Sequence, residues 1–186
     1  MKFIRSIYKF FCILLCSLFF LYLIIPSPDF PEPPLDSIQS IEGGDIESPL
    51  RRAYFTDYSR DEILNFYQTQ FSKSSFLGIP LLTYRLNYPP EEAQTLIRDQ
   101  TRSTFLEEIV HPLKESIFIN GFKAKYAKDD IWYKGQHFSE KITIKYIPGN
   151  RVLSVIVGVF IVVSIKLLIN SWGYILGDFI KNVRKS

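Results

Sequence analysis

Two apolar runs, one at each end of the chain, limit what it can fold into more than any other feature. From Phe10 to Ile25 (FFCILLCSLFFLYLII) no residue is charged, and from Val152 to Trp172 the only charge is Lys166. The second run has 21 residues, which as a helix reaches about 31 Å and matches a hydrocarbon core of about 30 Å. Its valines and isoleucines suit a strand, but a strand that long would need a partner the chain does not offer. The first run alone spans only about 24 Å as a helix, yet Ile7 and Tyr8 extend it and Lys9 can snorkel. No small-x-small cleavage site follows it, and Leu15 before Cys16 is wrong for a lipoprotein signal, so residues 10–25 are expected as an uncleaved transmembrane anchor. Residues 152–172 are expected as a second transmembrane helix.

Charge is distributed accordingly. Residues 1–25 carry three bases and no acid, residues 26–150 carry 14 bases against 18 acids, and residues 151–186 carry five bases against one acid. The pI near 8.8 therefore reflects basic flanks around apolar runs, and no nucleic-acid partner is expected for the acidic middle. Lys2, Arg5 and Lys9 (residues 1–9) on one side and Lys181, Arg184 and Lys185 on the other place both termini in the cytoplasm by the positive-inside rule. Lys166 is read as snorkelling, Trp172 as an interfacial aromatic, and residues 173–186 as an amphipathic basic tail on the membrane surface. Residues 26–150 then lie outside the cytoplasm, with a bacterial cell membrane as the expected setting.

Residues 26–50 hold five prolines before Asp36, and six acids with no base. That composition predicts a semi-extended acidic linker. Residues 51–148 are expected to form a small α+β extracytoplasmic domain, a mostly antiparallel sheet with two helices, between the two transmembrane helices. Ala53 to Thr56 reads as a short strand, and Ser59-Arg-Asp-Glu62 has the form of a capping box opening a helix that buries Ile63, Phe66, Tyr67 and Phe71. Leu82, Tyr84, Leu86 and Tyr88 alternate with polar residues as in a half-buried strand. Pro90, Glu91 and Glu92 predict the start of a long helix with a stripe of Ala93, Ile97, Phe105, Ile109, Leu113 and Ile117, bent at Pro112 and ended by Asn120-Gly121. Further strands are read at Phe122–Tyr126, at Ile131–Tyr133 before a Lys134-Gly135 turn, and at Lys141–Ile147.

Catalytic signals are sparse. Both cysteines, Cys12 and Cys16, lie in the first apolar run, so the middle domain has no thiol nucleophile, and no G-x-S-x-G elbow or phosphate loop is present. Glu108 and His111 have E-x-x-H spacing, which serves metals only in sets of two units with further glutamates; no metal or other cofactor is expected. Glu107 and Glu108 project about 100° apart on a helix and make a poor catalytic pair. Asp129 and Asp130 are read as turn formers. For binding, Arg85, Arg98 and Arg102 with Tyr84 and Trp132 are the candidate residues, aromatic faces and fixed cations being what a groove for a polymer or partner strand would use.

These readings converge on a non-enzymatic, two-span membrane protein whose outer domain is an interaction or scaffold module for an envelope or membrane partner, or for a second copy. The alternative is a ligand-binding or sensory domain coupled to the cytoplasmic tail through the second helix. It requires a concave pocket joining an arginine to several tyrosines. A membrane-associated hydrolase ranks third and requires Glu108, His111 and another acid in one cleft.

Overall fold

The structure is a computed structural model and describes residues 2–73, 75–76, 78–88, 104–124 and 126–183. The chain divides into two compact units, residues 1–26 with 150–186, and residues 27–149.

The first unit consists of two apolar helices, α1 (Lys2–Ile24) and α3 (Arg151–Val183). Both are long and apolar enough to cross a membrane. At 33 residues, α3 is about 50 Å long, and the segment expected as a separate tail continues it without a break at least to Val183. On α1 the half-buried or buried positions Cys12, Cys16, Phe19, Phe20 and Leu23 recur at helical spacing, as do Ser154, Val155, Gly158, Ile161 and Val162 on α3. Gly158 permits close approach: a Cβ there would stand 2.6 Å from Leu23 Cδ1 and 3.3 Å from Phe19. The remaining surface of both helices is apolar and exposed, Phe10, Ile13, Phe160 and Leu167 among it.

The second unit is α+β. In chain order its elements are β1 (Ile38–Gln39), β2 (Arg51–Thr56), α2 (Arg60–Ser72), β3 (Ser75–Phe76), β4 (Ile79–Pro80), β5 (Tyr84–Tyr88), β6 (Phe105–Val110), β7 (Ser116–Lys123), β8 (Ile131–Tyr133), β9 (Gln136–Phe138) and β10 (Glu140–Ile147). Among the described residues, six strands form one antiparallel sheet in the order β1-β2-β10-β7-β6-β5. Helix α2 covers one face, where Ile63, Leu64, Tyr67 and Phe71 pack on Tyr54, Ile109, Ile117, Ile119, Ile142 and Ile144. Burying each such aliphatic side chain contributes about 1.5–3 kcal/mol, so this face carries most of the domain's stability. The β8–β9 hairpin makes a smaller cluster on Phe55 of the opposite face, Tyr133 stacking on that ring at 4.3 Å. Its two-residue turn is Lys134-Gly135, both at positive φ, the geometry of a tight hairpin turn.

Local signals that stand alone in the sequence fold as they read. Glu62 and Ser59 form the capping box of α2, with Ser59 N–H donating to Glu62 Oε2 at 2.8 Å and the hydroxyl at 2.7 Å. Those hydrogen bonds hold the Glu62 carboxyl below its ordinary pKa. In β10, Ile142, Ile144 and Tyr146 are buried while Lys145 and Ile147 are exposed.

The expected long helix is corrected. Residues 105–110 and 116–123 are strands β6 and β7, joined by a turn through His111 to Glu115 in which Leu113 takes a left-handed φ of 57°. Ala93 and Ile97, the start of that predicted stripe, lie outside the described residues. Among the described residues of this domain, α2 is the only α-helix. Gly121 is not a helix terminator: it lies in β7 opposite Phe105, whose ring covers it so closely that a Cβ would stand 1.9 Å from a ring carbon.

The Pro-rich acidic segment is corrected too, since it is laid along the domain. Strand β1 pairs with β2, Phe30 packs on the main core, and Tyr146 Oη donates to the Pro28 carbonyl at 2.6 Å. Lys141 Nζ reaches Glu42 Oε2 at 2.7 Å and Asp45 Oδ2 at 2.8 Å. Composition forbids this segment a core of its own, but not a place on a core built by others.

Candidate functional site

Of the residues expected to bind, Tyr84, Arg85 and Trp132 are described, and the fold does not bring these three together. Arg85 and Tyr84 are successive residues of β5 and so point to opposite faces of the sheet. Arg85 shares its face with Glu107 and approaches it, Nε to Oε2, at 3.8 Å. Glu107 is fully buried and is also paired with Arg60 at the start of α2. Two cations from different elements thus bracket one buried carboxylate and anchor the N-terminus of α2 to the sheet, a structural use that leaves Arg85 only partly available. Trp132 is on the β8–β9 hairpin, 65% exposed, with its ring edge against His137. Arg98 and Arg102 lie outside the described residues.

His111 and Glu108 do not share a face either. Glu108 is in β6, and His111 follows that strand at an odd offset of three and begins the turn. There its Nδ1 is hydrogen-bonded to Glu115, and both side chains are fully buried. Burial would push the Glu115 carboxyl up, but hydrogen bonds from His111 and Ser27 and the nearby charges of Lys114 and His111 outweigh it, so the group is held below its ordinary pKa. An ionised Glu115 can only accept, which makes His111 Nδ1–H the donor. The imidazole packs against the Phe71 ring in a tilted arrangement, centroids 5.3 Å apart. Such a dyad resembles the orienting half of a catalytic triad in its hydrogen bond alone; buried to this degree, it presents neither atom to a substrate. Asp129 lies in a short 3₁₀ turn that Asp130 follows, as turn formers. Among the described residues no group of three His, Cys, Asp or Glu side chains is placed to hold a metal.

Sequence reasoning missed the neighbourhood of this dyad. Ser27 Oγ accepts from Gly149 N–H at 3.2 Å, so the first and last residues of the domain are tied to each other. Gly149 also rests on the Lys114 backbone, 2.8 Å from where its own Cβ would be. The His111–Glu115 turn therefore underlies both ends of the domain. No local pattern announces this, because the three segments are far apart in sequence. Beside it, a cavity of about 240 Å³ is lined by Pro28, Asp29, Phe30, Pro31, Glu32, Gln70, Phe71 and Lys73. Neither Arg85 nor a tyrosine contributes to it.

The second missed feature is the outer margin of the sheet. Among the described residues strand β5 is its last member, paired on one side with β6 from Tyr84↔Val110 to Tyr88↔Leu106. Tyr84 and Leu86 are 50% and 47% exposed, where the alternation predicted half-burial. An edge strand lacks a neighbour to cover it, so the same alternation that buries residues in a central strand leaves them in contact with solvent here. Lys2, Arg5 and Lys9 occupy the first turns of α1, and Lys166, Trp172 and Lys181 are in α3; Arg184 and Lys185 lie outside the described residues.

Comparison with known proteins finds no matching family model, no matching curated protein and no matching solved structure.

Proposed function

We propose that the chain is a two-span integral membrane protein, with both termini in the cytoplasm, whose outer α+β domain is a non-enzymatic interaction module for a membrane or envelope assembly. The observation that carries this reading is the hydrogen bond between Ser27 and Gly149. It brings together the two points at which the domain gives way to helices of spanning length, as a domain hung from a membrane hairpin requires. The basic residues at the far ends of both helices support a cytoplasmic location for the termini. Support for interaction over catalysis comes from the site itself: the polar clusters of Glu107 and of His111 with Glu115 are buried and internally paired, whereas Tyr84 and Leu86 on β5 and Trp132 on the β8–β9 hairpin are among the large apolar side chains left exposed.

Topology is tested with a reporter active only when exported. Fused after Ser186 it should be silent, and inserted at Gly135 it should be active; the reverse result overturns the orientation. Interaction is tested by gentle detergent extraction with mass measurement. The expected particle exceeds one chain in mass, and a strictly monomeric particle without a partner overturns the module reading.

A further inference from the structure

Strand β5 reads Tyr84-Arg85-Leu86-Asn87-Tyr88, a sequence almost symmetrical about its central leucine. Two such strands set antiparallel with Leu86 on the dyad place Leu86 opposite Leu86, Arg85 opposite Asn87 and Tyr84 opposite Tyr88. A two-fold interface must be self-complementary in this way, each residue i meeting j while j meets i. No like charges oppose one another in that register, whereas in many edge strands a central Lys or Arg would. The side chains also sort correctly by face. Arg85 and Asn87 share the α2 face with Glu107, where an Asn carbonyl can accept from guanidinium donors that the contact with Glu107 leaves over. Tyr84 and Leu86 lie on the opposite face, exposed and apolar.

Among the described residues nothing pairs with the outer side of β5, and the strand itself contains no proline, no lysine and no bulge that would blunt it. The opposite margin of the sheet ends in a strand of two residues, β1, held down by the Lys141 contacts next to it.

We propose that the domain pairs with a second copy of this chain through β5, making one continuous antiparallel sheet of twelve strands from two six-stranded halves. The proposal rests on the interaction-module reading and names its partner. A five-residue edge is smaller than a standard interface of about 1,600 Å², and confinement of both copies to one bilayer supplies the effective concentration that compensates.

The test uses the full chain in native membranes, with Cys12→Ser and Cys16→Ser as background. Opposed residues of an antiparallel pair have Cα atoms about 4.5–5.5 Å apart, within disulfide range. Leu86→Cys should therefore oxidise to a covalent homodimer, while Ile38→Cys on β1 stays monomeric. Leu86→Lys, an exposed change that leaves the core untouched, sets like charges on the dyad and should lower the dimer fraction of the extracted protein about two- to fivefold. If Leu86→Cys stays monomeric or links to a different polypeptide while the extracted particle still exceeds one chain in mass, β5 self-pairing is overturned and the module reading stands. If the extracted particle is a single chain without a partner, both fall.

Discussion

Glu115 and Glu140 are both buried carboxylates, and their surroundings move them in opposite directions. For Glu115 the donors His111 and Ser27 outweigh burial and the pKa is lowered. For Glu140 burial dominates, with only the charge of Lys123 opposing it, and the pKa is raised. Linkage gives the consequence in each case. A lowered pKa means that Glu115 contributes stability above its unfolded value of about 4.5, and the contribution is lost as pH falls through the folded value. Glu115→Gln is expected to cost about 1–3 kcal/mol at pH 7, with the difference from the parent shrinking on acidification in thermal melts. A raised pKa means that Glu140 contributes fully only below about 4.5 and loses that contribution as pH rises. Glu140→Gln is therefore expected to raise the melting temperature at pH 7, the gain fading below that pH. Equal signs for the two variants at pH 7 would contradict the assignment.

At the scale of elements, the ring of Phe105 over Gly121 locks β6 to β7. Gly121→Val forces that ring aside and is expected to cost about 1–3 kcal/mol, whereas with Phe105→Ala already in place the same change should cost much less; additivity of the two in denaturant unfolding would exclude the contact. This pair also explains why the region reads as helix in sequence. Phe105, Ile109, Leu113 and Ile117 recur every four residues, and a spacing of four keeps side chains on one face of a strand as well as of a helix. The capping box of α2 and the Lys134-Gly135 turn were legible because they involve residues within three positions of each other. The partners of Glu107, the clasp at Ser27 and the exposure of β5 were not, because each depends on which segments the sheet brings together. In the helical unit, Gly158→Leu is expected to separate α1 from α3. Labelling of the half-buried Cys16 by a membrane-permeant thiol reagent should be faster in that variant than in the parent, and an unchanged rate would show that packing does not need the glycine.

On the scale of the whole molecule, the acidic segment is fixed to the α+β domain at several points along its length. Lys141 is the cation that holds it: burial lowers its pKa, but Asp45 and Glu42 more than restore it, and the ammonium form is favoured. A protease cutting after glutamate should cleave slowly at Glu42 and Glu47 in the intact protein and several-fold faster in Lys141→Met; equal rates would mean that the segment is free in both. The two long apolar helices, by contrast, were apparent from composition alone, since no other part of the chain combines such length with so little charge.

Because Ser27 and Gly149 are hydrogen-bond neighbours, the domain between them occupies almost no distance along the path of the chain. To the rest of the polypeptide it is equivalent to a tight turn. Replacing residues 27–149 by a few glycines and serines should therefore leave a bare helical hairpin, and the excised segment could be closed into a ring or re-opened at a loop such as Lys134-Gly135 without changing its fold. The α+β domain is thus a cassette, exchangeable as a unit between the same two apolar helices.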